Sequence, residues 1–266
     1  MKLKKTIKYP LCNSINTKMI YEIGIEEVFS RINNRNNEMK GEIKNIWGKE
    51  TCKFMSCEDC TFSFAHPFKG GTDKLYSMIY QNNYPTERWE YQLALDNISK
   101  EDICLEIGVG IGFFLKKLIK KCRKENVYSV EISNNKSDYQ KMEDIPDEKK
   151  FSVFCMFGVL EHLAEFKIFF NKIEKITTKD AKLFISVPHE KRVEFFRKKL
   201  GFGDCPPVHV SRWNKKTINM LGNWKIVEHK VQIISSFKIL KNLFYGYRTI
   251  NYPGTHKINS TIKLCF

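Results

Sequence analysis

The run Glu106-Ile107-Gly108-Val109-Gly110-Ile111-Gly112 is where residue types and spacing point most directly to chemistry. Three glycines at alternate positions let the backbone turn tightly and let a ligand approach the chain with no Cβ in the way. A helix starting just behind them would offer unpaired N–H groups and the positive end of its dipole. A dinucleotide fingerprint reads Gly-x-Gly-x-x-Gly and would put its third glycine at position 113, which is Phe113. The spacing here is Gly-x-Gly-x-Gly, with an acid two residues upstream. A second group lies earlier in the chain. Cys57-Glu-Asp-Cys60 has the spacing with which two thiolates grip one tetrahedral metal ion. No strand–helix–strand pattern of the thioredoxin kind surrounds the pair, which argues against a redox role.

These residues need elements to hold them. Asp102 to Ile107 reads as a short buried strand leading into the glycines, and Phe113 to Lys124 as the helix after them. In that helix Phe114, Leu115, Leu118, Ile119 and Cys122 share one face, and five lysines take the other. Further strands are expected at Val127–Ile132, Phe151–Phe157, Lys182–Val187 and Trp224–His229, with a helix over Leu160–Ile176. The alternation predicts βαβ units around a parallel sheet, an α/β fold. Residues 1–75 differ in texture, with four cysteines, the Gly70-Gly71 break and little helical period. Residues 231–266 contain an amphipathic stretch at Phe237–Phe244 and end in the strand-like Thr261–Phe266. Three zones follow: a small Cys-containing module over 1–75, the ligand-binding domain over 76–230, and an extension over 231–266 that completes or caps the sheet.

Composition narrows the partners. The 266 residues carry 45 Lys+Arg against 30 Asp+Glu, a formal charge of +15. Only eight of the basic residues are Arg, the side chain suited to bidentate phosphate and base contacts. The lysines are spread through the chain and read as a solvated surface, so no specific nucleic-acid partner is expected, while long-range attraction favours an anionic small molecule. No apolar run approaches the roughly 20 residues that cross a bilayer, so no membrane partner is expected. Nine cysteines, an odd number, argue for a reducing compartment, and the expected location is cytoplasmic.

The glycine run resembles motif I of the class I S-adenosylmethionine-dependent methyltransferases, whose sheet is Rossmann-like. Several other motifs agree in order. Glu131 closes the second predicted strand, 25 residues after Glu106. Phe157-Gly-Val-Leu-Glu-His-Leu163 is similar to the family's stretch after its fourth strand, and Ile185-Ser-Val-Pro188 to the end of its fifth. Pro206-Pro-Val-His209-Val-Ser-Arg-Trp213 resembles a segment of the type 23 subgroup, which is often fused to an N-terminal zinc ribbon. The resemblance implies S-adenosylmethionine as cofactor, held by Glu106, Gly108, Gly110, Gly112, Glu131 and Phe157. Glu131 would take both ribose hydroxyls, as a carboxylate can accept two hydrogen bonds. It also implies a zinc-ribbon-like module with Cys12, Cys57 and Cys60 as metal ligands and zinc as a second candidate cofactor. Tyr9 stands where that ribbon has another cysteine, and Cys52 or His66 could complete the set. The alternative is a ribbon without metal, held by Phe54, Phe62, Phe64 and Tyr80.

For an oxygen acceptor the family's reaction needs a proton acceptor, and His162 and His209 are the candidate catalytic residues. The subgroup points to O-methylation of a small-molecule or glycan acceptor: a sugar, nucleotide-sugar or glycan precursor. The chain departs from the pattern at Ser152 and Gly158, where the family commonly has Asp. It departs again between Glu131 and Phe151, an interval too short for a full helix and strand with their connections. Part of that unit is expected to be missing, which leaves Glu143 and Asp144 as the nearest acids for the adenine, Asp144 being the residue chosen. Two rival readings follow: a catalytically impaired scaffold that keeps the fold, and an RNA methyltransferase using the basic surface.

Overall fold

Phe151–Phe157, with six of its seven side chains buried, lies in the middle of a six-stranded sheet. The computed structural model describes residues 10–32, 36–79, 86–133, 136–189 and 202–231, and the backbone of 259–265. The elements, in chain order, begin with β1 (Thr17–Gly24), α1 (Ile25–Ser30), α2 (Asn37–Trp47), β2 (Thr51–Cys57), β3 (Ser63–His66) and α3 (Asp73–Ile79). Next come α4 (Trp89–Leu95), β4 (Cys104–Ile107), α5 (Phe113–Lys121), β5 (Val127–Val130), β6 (Phe151–Phe157), α6 (Phe166–Lys175) and β7 (Thr177–Pro188). The last are β8 (Ser211–Arg212), α7 (Lys215–Ile218), β9 (Lys225–Val231) and β10 (Asn259–Cys265). No helix among the described residues is long and apolar enough to cross a membrane.

The large sheet runs β5-β4-β6-β7-β10-β9. The first four strands are mutually parallel, and their apolar runs are buried on both faces, as parallel strands covered by helices must be. β10 pairs antiparallel with both β7 and β9, so the chain's last described strand is inserted into the sheet. Among the described residues nothing continues the sheet beyond β5. In place of a further strand stands a single bridge between Val130 and Tyr139, followed by a 3-10 turn at Met142–Asp144. Asp138 covers this edge by accepting the Ser129 N–H at 2.9 Å and its hydroxyl at 2.6 Å. The short interval before Phe151 is therefore spent on turns.

The expected helix over Leu160–Ile176 is broken. Leu160–His162 is a 3-10 turn, and α6 starts only at Phe166. The cause is the chain segment after Pro206-Pro207. Val210 N–H donates to the Glu161 carbonyl at 2.9 Å, and the Ser211 hydroxyl is shared between the Leu160 and Glu161 carbonyls at 3.4 Å each. Carbonyls that a continuing helix would use are thereby taken.

The N-terminal residues form a second, antiparallel sheet of order β1-β2-β3-β8. Its last strand comes from the segment just after the Pro-rich loop, which ties the two sheets together. One face of β2 and β3 shares the large core: Phe62 lies 4.6 Å from Trp213, centroid to centroid, and Trp213 lies 5.1 Å from Phe166. The opposite face, with Cys52 and Phe54, packs against Val28, Ile43 and Trp47 of α1 and α2. The amphipathic stretch Phe237–Phe244, Tyr9 and Tyr80 lie outside the described residues.

Candidate functional site

The glycine run forms the turn from β4 into α5, with Gly108, Gly110 and Gly112 at φ of 75°, 55° and 80°. That left-handed backbone is closed to most side chains, which accounts for the alternate glycines. Gly108 N–H donates to the Val130 carbonyl at 2.9 Å and so pins the turn to the end of β5. Glu131, the next residue after β5, reaches across. Its Oε2 accepts the Gly110 N–H at 2.9 Å, and its Oε1 accepts the Ser133 N–H at 3.1 Å and hydroxyl at 2.8 Å. The glycines and the acid named from the motif thus meet at one point. Glu106 sits beneath them, 4% exposed, with Oε2 lacking a hydrogen-bond partner among the described residues. Burial, and then the charge of Glu131, push its carboxyl well above the usual range.

Phe157 is buried against Tyr91 and Phe114, with ring centroids at 5.3 and 4.8 Å. Asp144 sits in the exposed turn beyond the β5 edge, where its carboxylate accepts the Lys141 N–H at 2.8 Å.

His162 and His209 come together although 47 positions separate them, with ring centroids 4.7 Å apart. His162 Nδ1 donates to the Val208 carbonyl at 2.7 Å, and the Tyr76 hydroxyl lies 3.3 Å from the same nitrogen. His209 Nδ1 lies 3.4 Å from Asp204 Oδ1, and its Nε2 lies 3.8 Å from Glu161 Oε1. Glu161 is only 2% exposed, and its Oε2 has no hydrogen-bond partner among the described residues. Burial lowers His162 to about 4 and His209 to about 3, and raises Glu161 to about 7. The Val208 carbonyl and Asp204 oppose the two histidine shifts, while Arg88 and Arg212 oppose that of Glu161. Both imidazoles are therefore neutral near pH 7.

Several members of this site were not foreseen. Glu161 stands inside the Leu-Glu-His motif, but nothing in the sequence said that its side chain turns inward. Tyr76 and Asp204 belong to segments with no motif of their own. Arg88 precedes α4, donates through Nε to Glu90 at 2.7 Å, and reaches Ser186 Oγ at 3.1 Å and the Phe157 carbonyl at 3.2 Å. It lies over the chain at Gly158, whose φ of 73° favours glycine. A Cβ built at Gly158 would stand 3.5 Å from both the Arg88 guanidinium and Glu161 Oε1, so the backbone here passes close to both groups.

Cys12, Cys57 and Cys60 also converge. The Cys12 and Cys57 sulfurs are 3.5 Å apart, and all three lie within 4.8 Å of one another. Burial acts to raise Cys57, yet the N–H groups of Cys60 and Asp59 and the two neighbouring thiols outweigh it and leave that thiol below its ordinary value. Cys60 is pushed up to about 12, chiefly by burial. The set matches three corners of a tetrahedral thiolate site. Cys52 faces the other side of β2, within the core of α1 and α2, and neither it nor His66 joins the group. A separate cavity of 380 Å³ lies at the C-terminal end of β7, lined by His189, Lys215, Lys216, His229 and Trp213 and by no carboxylate among the described residues.

A parallel sheet with a glycine turn at the C-terminal end of β4, an acid at the end of β5 and an antiparallel strand inserted next to β7 is the class I methyltransferase fold. The methyltransferase-domain family matches residues 85–238, more than half of the chain, and the chain belongs to that family. Among curated proteins none matches it. Solved structures similar to it include the N-methyltransferase NodS from Bradyrhizobium japonicum WM9 in complex with S-adenosyl-L-homocysteine, at 13% identity and a TM-score of 0.46, over 70% of this chain and 89% of that one. Coclaurine N-methyltransferase bound to N-methylheliamine and S-adenosyl-L-homocysteine is 12% identical, with a TM-score of 0.47, over 90% of this chain and 93% of that one. Geranyl diphosphate C-methyltransferase from Streptomyces coelicolor A3(2) is 9% identical, with a TM-score of 0.49, over 66% and 78%.

Proposed function

We propose that the chain transfers a methyl group from S-adenosylmethionine to an oxygen of a small, anionic acceptor of the sugar or nucleotide-sugar class. The observation that carries this reading is the meeting of Glu131 with the Gly110 N–H, which joins a carboxylate to the open face of a glycine turn. In such a place Glu131 holds the two ribose hydroxyls, and the turn's N–H groups and the uncapped start of α5 face the rest of the cofactor. Bound there, S-adenosylmethionine supplies an activated methyl carbon for in-line displacement. The chain's own part is to hold the acceptor in line and to take its proton.

His162 or His209 takes that proton, since each ring is neutral and keeps one lone pair. Asp204 orients the His209 ring from behind, and the Val208 carbonyl orients that of His162. The cavity bounded by Lys215, Lys216, His189 and His229 suits the acceptor's negative group, because its lining is cationic or neutral throughout. The catalytic domain is read as 76–230, with 1–75 packed beside it and 231–266 contributing β10. In the first module the three thiols would hold zinc. A second reading, a scaffold that binds but does not turn over, is favoured by the sheet's ending at β5, where one wall of an adenine pocket would stand. Calorimetric titration of the full chain with S-adenosylmethionine tests both. The enzyme reading expects saturable binding, and turnover of a sugar nucleotide separates it from the scaffold. No heat and no thermal stabilisation at about millimolar cofactor overturns it.

A further inference from the structure

We propose that Glu161, His162 and His209 form a binding site for one divalent transition-metal ion beside the cofactor turn. One ligand atom from each of the three lies within 4.8 Å of the others. The proton positions make this more than proximity. His209 Nδ1 is turned to a carboxylate and His162 Nδ1 donates to a carbonyl. The carbonyl requires a proton on His162 Nδ1, so His162 Nε2 carries that ring's lone pair, while His209 Nδ1, buried, makes no hydrogen bond among the described residues. His209 Nε2 faces Glu161 Oε1 at 3.8 Å. That separation is too long for a hydrogen bond. It is close to the roughly 3.4 Å between two ligands each about 2.1 Å from a tetrahedral ion.

The surroundings are those of a ligand set. Metal-binding imidazoles generally have their far nitrogen fixed by a carboxylate or a carbonyl; here the Val208 carbonyl fixes His162, and Asp204 stands 3.4 Å from His209 Nδ1. Glu161 is buried with one oxygen lacking a partner among the described residues, a costly state that coordination would relieve. The nearby arginines are engaged in part, Arg212 Nε lacking a partner among the described residues. Arg88 is paired with Glu90 at 2.5 Å, and Arg212 donates to the Asp204 carbonyl. Two imidazoles and one carboxylate favour zinc, cobalt, manganese or ferrous iron over magnesium or calcium, and leave positions open for an acceptor's hydroxyl. The proposal does not depend on cofactor binding, but an ion held here would occupy the imidazole lone pairs assigned above to the acceptor's proton, and would instead make a hydroxyl bound to it easier to deprotonate.

The test is a Co²⁺ titration of full-length Cys57→Ser, in which the thiol group is disabled, after chelator treatment and without S-adenosylmethionine, followed by visible spectra and metal analysis. The expected result is about one ion per chain with no thiolate charge-transfer band, whereas the parent, its thiols intact, should take up a second ion with such a band. Glu161→Gln should weaken binding by about a hundredfold or more. Asp204→Asn, which keeps all three ligands but alters the support behind His209, should weaken it about tenfold. Three results would overturn the site: no ion bound at millimolar Co²⁺ by Cys57→Ser with native circular dichroism, a thiolate band that accounts for all the ion it binds, or unchanged affinity when Glu161→Gln and Asp204→Asn are each added to it. A separate titration with S-adenosylmethionine reports on the cofactor reading, so either can fail alone.

Discussion

The two halves of the site are built from different materials. Around Gly110 the working groups are backbone: N–H groups exposed by a left-handed turn, with one carboxylate laid across them. Around His209 they are side chains, drawn from α3, the turn after β6 and the Pro-rich loop, and packed away from water. A backbone site needs a local sequence and space, so adding an atom breaks it. A side-chain site needs distant segments to converge, so removing an atom or moving a proton breaks it. The three predictions below test that contrast.

The largest effect is expected where an atom is added. Gly110→Val places a β-branched side chain at a φ of 55° and in the space over the turn. S-adenosylmethionine affinity should fall by about a hundredfold or more, roughly 2.7 kcal/mol, while circular dichroism keeps the native signature. Calorimetry decides it. Cofactor binding within about threefold of the parent would mean that the turn is not the cofactor's seat, and the contrast would lose its first half.

The second test moves protons in the other half. His162 and His209 have folded values near 4 and 3, below the ordinary 6.5, so the unfolded chain binds more protons as pH falls. Their contribution to stability is present above pH 6.5 and is lost on the way down to about 4. Glu161 is raised from 4.5 to about 7, and its contribution has the opposite sign: present below about 4.5 and lost as pH rises through 7. Between pH 5 and 6 the pair should outweigh the single acid by about one proton. Denaturant unfolding across that range should show a steeper rise of stability with pH in Glu161→Gln than in the parent. In His209→Gln the slope should be shallower, by about one proton in each case. Parallel lines for all three proteins would show that these groups do not titrate as a buried set.

What could be read from the sequence follows the same division. The glycine turn, Glu131 and the strands flanking them are specified within short windows, because positive φ and two-sided burial each leave a local mark. The sheet's end at β5 was also legible, since the interval before Phe151 cannot hold a helix and a strand. The break after His162 was not. Leu160–Ile176 has an unbroken helical period, and only Val210 and Ser211, some 50 residues away, capture the carbonyls that end the turn. Likewise, nothing in Ser211-Arg212 announces that it will pair with β3 and join the two sheets. The inward turn of Glu161 depends on both events. The lysine excess reads as a solvated surface, and the structure adds a cavity, lined by no carboxylate among the described residues, that takes in Lys215 and Lys216.

The smallest effect is expected at a position belonging to neither half. Ser152 replaces the acid common in the family, which invites the view that function has been lost there. Its hydroxyl instead donates to Asp102 Oδ1 at 2.8 Å and accepts the Ile103 N–H at 3.0 Å, tying β4 to β6 at the end of the sheet away from the glycine turn. Asp102 is in turn 3.6 Å from Lys182, and its carboxyl is held below the usual range by the Ser99 N–H, Ser152 and Lys182, although burial opposes this. Ser152→Ala leaves the Ile103 N–H and one Asp102 oxygen short of a partner and should cost about 1 kcal/mol in denaturant unfolding. Cofactor affinity and the pH slope should stay as in the parent, because the strands shift as a unit rather than at their ligand ends. A fall in S-adenosylmethionine affinity without a fall in stability would place Ser152 in the cofactor half after all, and its departure from the family pattern would then count against turnover.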